Sequence, residues 1–400
     1  MLSLVSRWHK SINEIPEQHW NNLIGHQSNP FYQWKWLHKL ENSGSISPKQ
    51  GWHPRHLGIW RRDILIAVAP LYLKGHSYGE FIFDQVFVRL AVELGIYYYP
   101  KLLGMSPLSP VDGYQFFYAP KEDSKALTII MMDAIDRFAF ENGISSCNFL
   151  YVDPAWSSLA KASGCVEWLN QKSLWSSSNN ANFSDYLKRF NSNQRRNIKR
   201  ERKVIKDAGI KVSAITGNKI NKELLTVMHD FYEDHCQRWG PWGSKYLSCS
   251  FFEQLSKLDQ RDQIVLFSAH HLDPQDPIAM SLCIKDKNML WGRYWGSKEE
   301  IDCLHFEVCY YSPIAWALDQ GITHFDPGAG GSHKSRRGFV AKSTISLHRW
   351  YDKRMEVLIS AWLDKVNTIT SQEIEAANNQ LPFKTTKPRL SNESYSSNES

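Results

Sequence analysis

The sequence predicts a mixed α/β fold, laid down twice along the chain, and three observations carry that prediction. Apolar residues switch between a period of 2 and a period of 3.6 several times in each half, so strands and helices are interspersed rather than segregated. A polar Ser/Asn run at 173–182 reads as a linker between halves of similar plan. At 400 residues the chain is long for a single core and comfortable for two of roughly 150–200 residues each. The expected domains are 1–172 and 183–367. A tail at 368–400 loses apolar periodicity, ends in Ser, Asn and Glu, and reads as disordered.

In the first half, residues 20–23 and 31–40 read as helices, with Pro30 near a helix start. Residues 55–60 and 64–73 read as paired strands around Arg61-Arg62-Asp63. Pro70 belongs at an edge or a bulge there, because it cannot donate to a ladder. Residues 126–141 space Ile129, Ile130, Ala134, Ile135 and Phe138 as a helix does, before a stop at Gly143, and 147–152 follow as a strand. The second half repeats this order. A basic helix at 185–208 stops at Gly209, and a helix at 222–237 comes next. Strands are expected at 263–270, 277–285 and 289–295. A further helix, which Pro313 should kink by removing a donor, ends at Gly321 and leads into the short strand Thr323-His324-Phe325-Asp326. A strand at 343–351 and a helix at 353–368 close the fold.

Composition excludes several classes. Hydrophobic content of 42% and charged content of 22% are ordinary for globular proteins. The longest apolar run, at 64–73, contains Pro70 and is far short of the roughly 20 residues a membrane span needs. The start of the chain lacks the apolar core of a signal peptide, and seven cysteines without a C-x-x-C pair fit reduced thiols, so a cytoplasmic location is expected. The formal charge of +6 is modest but concentrated, since residues 188–211 alone carry ten cations against two carboxylates. A local basic stripe on a near-neutral chain implies a polyanionic partner or a solvated helix face. No pattern points to DNA.

One stretch, residues 306–339, concentrates the chemistry. It reads as helix, Gly321, strand, the loop Gly328-Ala329-Gly330-Gly331, and then His333-Lys334-Ser335-Arg336-Arg337-Gly338-Phe339. Glycines just past a strand let backbone approach a ligand closely, and cations delivered straight after them suit an anionic or carbonyl-bearing group. A P-loop would need glycine where His333 stands and a helix afterwards, whereas β-leaning residues follow Gly338-Phe339. His229, Asp230, Glu233, Asp234 and His235 lack metal-ligand spacing and read as a surface helix, so no metal is expected. Glu307, at the start of its helix, favours the positive dipole end and reads as structural.

Several segments resemble the FemAB/FemX-like branch of the GNAT-fold acyltransferases. They include Arg195-Arg196-Asn197-Ile198-Lys199-Arg200, Phe231-Tyr232 with Arg238-Trp239, Tyr246-Leu247, and Trp291-Gly292-Arg293-Tyr294-Trp295-Gly296. The first half adds Asn29-Pro30-Phe31-Tyr32-Gln33-Trp34, Ala69-Pro70-Leu71-Tyr72-Leu73-Lys74 and Tyr97-Tyr98-Tyr99-Pro100-Lys101-Leu102. The resemblance implies tandem GNAT-like domains around a cleft, a role in peptidoglycan biosynthesis, and transfer of an acyl or aminoacyl group to an amine. It implies no tightly bound cofactor, with acyl-CoA or aminoacyl-tRNA as co-substrate and tRNA as a possible partner. The turn Gly296-Ser297-Lys298-Glu299-Glu300 lacks the glycine pattern with which these enzymes usually hold CoA. The rival expectation is a non-catalytic module that binds RNA or a cell-wall precursor.

Within that frame the candidate catalytic residues are Lys334 and His333. Lys334 can stabilise negative charge on a tetrahedral oxygen, and His333 can take the proton of an attacking amine. Candidate substrate contacts are the loop residues Gly330, Gly331 and Ser332, with Arg337 beside them. Arg195 and Arg196 are candidates for phosphates, and Arg293, Tyr294 and Trp295 for the lining of a groove. Strand alternation puts Arg293 on the face of Trp291 and Trp295, and Tyr294 on the other.

Overall fold

The computed structural model describes residues 3–25, 29–178, 180–238, 245–257 and 261–384. Its strands are β1 (Leu4–His9), β2 (Trp52–Pro54), β3 (His56–Arg61), β4 (Ile64–Ala69), β5 (Tyr72–Lys74), β6 (Lys101–Gly104), β7 (Phe117–Tyr118), β8 (Ser146–Val152) and β9 (Val166–Ser176). They continue with β10 (Lys211–Thr216), β11 (Ile264–His270), β12 (Ala279–Lys285), β13 (Met289–Ser297), β14 (His324–Asp326) and β15 (Val340–Trp350). Helices are interspersed throughout, so the mixed α/β expectation holds. Pro70 falls in the break between β4 and β5, where its missing donor costs the ladder nothing.

The expected division into two domains is corrected by the sheet. A small sheet runs β1-β3-β4-β7, and an eleven-stranded one runs β10-β11-β12-β13-β14-β9-β15-β8-β6-β5-β2. β15, from the end of the chain, lies between β8 and β9 of the first half, pairing Leu347 with Phe149 on one side and with Glu167 on the other. The expected linker is also corrected, because residues 173–176 belong to β9, which reaches β14 through Phe325 and Trp175. The polar middle of β9 borders a cavity: part-buried Asn170, Lys172 and Ser173 and exposed Gln171 line a space of about 370 Å³.

Two apolar clusters flank the second half of the sheet. Ile264, Leu266 and Leu282 face the core that also holds the first half, while Val265, Phe267 and Cys283 face a second core. Period-2 alternation in strands buried on both faces produces this split. Segments at 69–74 and 97–102 meet as β5 and β6, where buried Lys101 pairs with Glu80 at 2.7 Å and Asp84 at 2.6 Å.

The basic helix is two helices, Phe183–Lys188 and Ser192–Asp207. Asn191 divides them: it is extended, and its side chain accepts from Gln194 N at 2.9 Å, capping a new helix. The tail expectation fails at its start, because the last helix runs Lys353–Asn379 and buries Met355, Ile359 and Leu363. Residues 385–400 of that expectation, and Trp239, lie outside the described residues. Among the described residues no helix is long and apolar enough to cross a membrane.

Candidate active site

The site begins where two parallel strands part. β14 pairs with β13 only from Met289 to Trp291, while β13 continues to Ser297 against β12. A bulge sits at the parting, since Leu282 opposes Tyr294 and Cys283 opposes Gly292, leaving Arg293 as the extra residue. The bulge overturns the expected alternation. Trp291 and partly buried Tyr294 pack into the larger core, while Trp295 is turned to the other face, 4.6 Å from the His305 ring. Arg293 is fixed by Asp326, with Nη2 at 3.2 Å from Oδ2, and its guanidinium lies over Phe31 at 5.3 Å.

Between the parted strands lies a cavity of about 660 Å³. One wall is the glycine loop, in which Gly328, Gly330 and Gly331 have φ of 83°, 67° and 84°. Those values are the left-handed region that glycine enters without strain. The loop separates this cavity from the polar one along β9, for Gly328, Ala329, Gly330 and Gly331 line both. A 3-10 turn, Ser332–Arg337, follows and then β15, so the geometry is not that of a P-loop.

Lys334 is 2% exposed and its Nζ donates to the carbonyls of Gly328 at 2.7 Å and Ala329 at 3.1 Å. It thus clamps the loop, and an ammonium with three protons retains one for the cavity. Burial brings its pKa down to about 8, with Asp326 opposing that drop. His333 Nε2 lies 2.9 Å from Tyr310 Oη, and burial, aided by Arg337 and Lys334, holds the imidazole below its usual pKa. His305, its ring 5.5 Å from that of His333, is brought down to about 3 by burial first and then by His333. Both imidazoles are therefore neutral at physiological pH.

His305 and Tyr310 reach the cavity from one helix with an irregular turn. Residues Leu304–Phe306 are α-helical, Glu307–Tyr311 form a π-turn, and Ser312–Asp319 resume the α-helix. The expected disturbance at Pro313 is therefore displaced one turn earlier, with Pro313 itself in the first turn of the resumed helix, where a missing donor is tolerated. Ser281 Oγ donates to the Val308 carbonyl at 2.9 Å within the π-turn. Glu307 is structural as expected, held by Arg202 at 2.9 Å and Ser312 at 2.8 Å.

Seven of the sequence candidates line this one cavity: Arg293, Tyr294, Trp295, Gly330, Gly331, His333 and Lys334. Four do not. Ser332 lines the polar cavity instead. Arg337 is corrected from substrate contact to loop anchor: it is 2% exposed, pairs with Glu201 at 2.7 Å and stacks on Phe306 at 3.4 Å. Half-buried Arg195 and exposed Arg196 stand on the basic helix and do not border the cavity. Sequence reasoning missed His305, Tyr310, Cys283 and Cys309, and it placed His235 on a surface helix although His235 lines the cavity. The signal available for His305 and Tyr310 was the same apolar run that reads as core packing. Among the described residues no cluster could hold a metal ion.

The chain forms a mixed sheet with a cleft where two parallel strands part, and solved structures resemble the protein in overall fold. FemX aligns at 13% identity over 89% of this chain and 100% of its own, with a TM-score of 0.52. The C-terminal domain of a protein from Agrobacterium fabrum, provisionally named a lysylphosphatidylglycerol synthetase, aligns at 9% identity over 88% and 97%, with a TM-score of 0.50. A tandem GNAT protein from the clavulanic acid biosynthesis pathway aligns more loosely, at 9% identity over 87% and 98%, with a TM-score of 0.45. The fold class is the mixed α/β, GNAT-like one that the sequence predicts. A family model for FemAB-like proteins of peptidoglycan biosynthesis/recognition matches residues 11–385, and the chain belongs to that family. Family and fold together indicate a transferase. No curated protein matches the sequence.

Proposed function

We propose that the protein is an N-acyltransferase that moves an acyl or aminoacyl group from an activated carrier to an amine acceptor in cell-wall precursor synthesis. The observation that carries the reading is the convergence of Lys334, the glycine-loop backbone and two neutral imidazoles on one cavity. In this reading the amine nitrogen attacks the carbonyl carbon of a thioester or ester. The carbonyl oxygen becomes an oxyanion facing the free Lys334 proton and the amides of the loop, which lie in place before reaction. His333 takes the amine proton, directly or through a water, as the C–N bond forms. Collapse expels the carrier thiolate or alkoxide, which takes a proton in turn. Holding both reactants in the cleft makes the attack effectively unimolecular. The carrier is acyl-CoA or aminoacyl-tRNA, without a resident cofactor, and Arg195 and Arg196 suit the phosphates of the latter.

The test is turnover by the full chain with panels of acyl-CoA and aminoacyl-tRNA donors, read by mass spectrometry. Transfer is expected, and Lys334→Ala should lower kcat by roughly 100-fold or more, the scale of losing an oxyanion donor. Binding to both panels without transfer would replace the enzyme reading with that of a recognition module.

A further inference from the structure

We propose that the cavity between β13 and β14 admits an uncharged acyl group, aryl or aliphatic, and rejects one bearing an ammonium. The donor would then be an acyl carrier without a free α-amino group. The inference rests on the transferase reading and narrows its donor.

The walls are aromatic and sulfurous: the Trp295 and His305 rings meet at a tilt with centroids 4.6 Å apart, Tyr310 lines the cavity with them, and the Cys283 and Cys309 thiols complete the surface. Burial pushes Cys283 up to about 12 and brings His305 down to about 3, so neither supplies charge, and burial also lowers the pKa of His333 and of His235, the third imidazole of the lining. The charged side chains that line the cavity are both cations. Arg293 is compensated by Asp326 at 3.2 Å, whereas Lys334 rests on two carbonyls, which carry no net charge. No carboxylate lines the cavity among the described residues. The nearby acids are already engaged, Asp326 by Arg293 and the Gly328 amide at 2.8 Å, Glu201 by Arg337 and Tyr311. An aminoacyl ammonium entering here would lose water and meet a like charge with no counter-ion. The same field favours the neutral form of the attacking amine, which is the form that reacts. Aromatic faces can hold a cation elsewhere, but the Lys334 ammonium opposes that use here.

Isothermal titration of the full chain with 3-phenylpropanamide and with phenylalaninamide compares two probes that differ only by the α-amino group. At about pH 6 that group is protonated. The neutral probe should bind at least about tenfold more tightly, a difference of ~1.4 kcal/mol. Its binding should disappear in both Trp295→Ala and His305→Ala, two variants guarding against misfolding of either. Equal or tighter binding of phenylalaninamide would overturn the proposal while leaving the transferase reading in place. So would neutral binding that survives in both folded variants, or no binding of either probe. Transfer from aminoacyl-tRNA alone would likewise sink the uncharged donor and keep the transferase. Absence of transfer from any donor would instead sink the transferase.

Discussion

Lys334 carries two opposed demands, and its environment sets how they trade. Its folded pKa of about 8 lies below the value near 10.4 of a lysine in an unfolded chain. Between those values the unfolded chain holds the extra proton, so stability rises with pH across that window, and below it the buried charge costs of order 3 kcal/mol. Oxyanion stabilisation needs that charge, so activity moves the other way and is lost as pH rises through about 8. His333 must be neutral to accept a proton, and its lowered pKa puts the acid limb below pH 6.5. The pH profile of kcat/KM should therefore show an alkaline limb near 8 while thermal stability is still increasing. A flat profile across that limb would remove Lys334 from the chemistry. The loop and its lysine were legible in the sequence because glycine and charge are punctuation in an otherwise apolar run. Arg337 was misread because sequence shows a charge but not the Glu201 that neutralises it across 136 positions. His305 and Tyr310 were invisible for a related reason: on an apolar helix, an aromatic that lines a cavity and one that fills a core look alike.

At the scale of elements, the glycine loop does its work through shape, and its glycines are unequal. A Cβ on Gly330 meets nothing within 4 Å, although its φ of 67° still disfavours alanine. A Cβ on Gly331 would stand 2.7 Å from the His333 ring, which would have to move. Gly330→Ala should cost ~1–2 kcal/mol of stability and keep most activity. Gly331→Ala should cost a similar amount and also lower kcat by about tenfold or more, because His333 would lose its place against Tyr310. Comparing kcat with melting temperature for the two variants separates strain from catalysis, and equal activities would show that the His333 position is immaterial. The strands on either side were legible from period-2 patterns, but the bulge at Arg293 was not. Its single extra residue carries no signature of its own, and it turns Trp295 to the face opposite Trp291.

For the whole molecule, the order of strands decides how the chain folds. Two halves with the same plan suggest two domains, and the Ser/Asn-rich run between them strengthens that impression. What sequence could not show is that β15 returns across about half the chain to fill the gap between β8 and β9. Nine residue pairs join β15 to β9 and five join it to β8, so a first half without it would expose two open edges. The larger apolar core likewise mixes Trp36, Phe251, Phe149 and Leu347 from both halves. Sharing both a sheet and a core couples the halves, because neither can open without uncovering apolar surface of the other. The full chain should therefore unfold in a single cooperative transition, with calorimetric and van't Hoff enthalpies in agreement. Residues 1–182 expressed alone should be aggregated or unfolded, and adding residues 183–400 in trans during refolding should recover soluble material through β15. Two resolved calorimetric transitions, or a stable monomeric fragment 1–182, would show that the halves are autonomous and that the returning strand is only a tether.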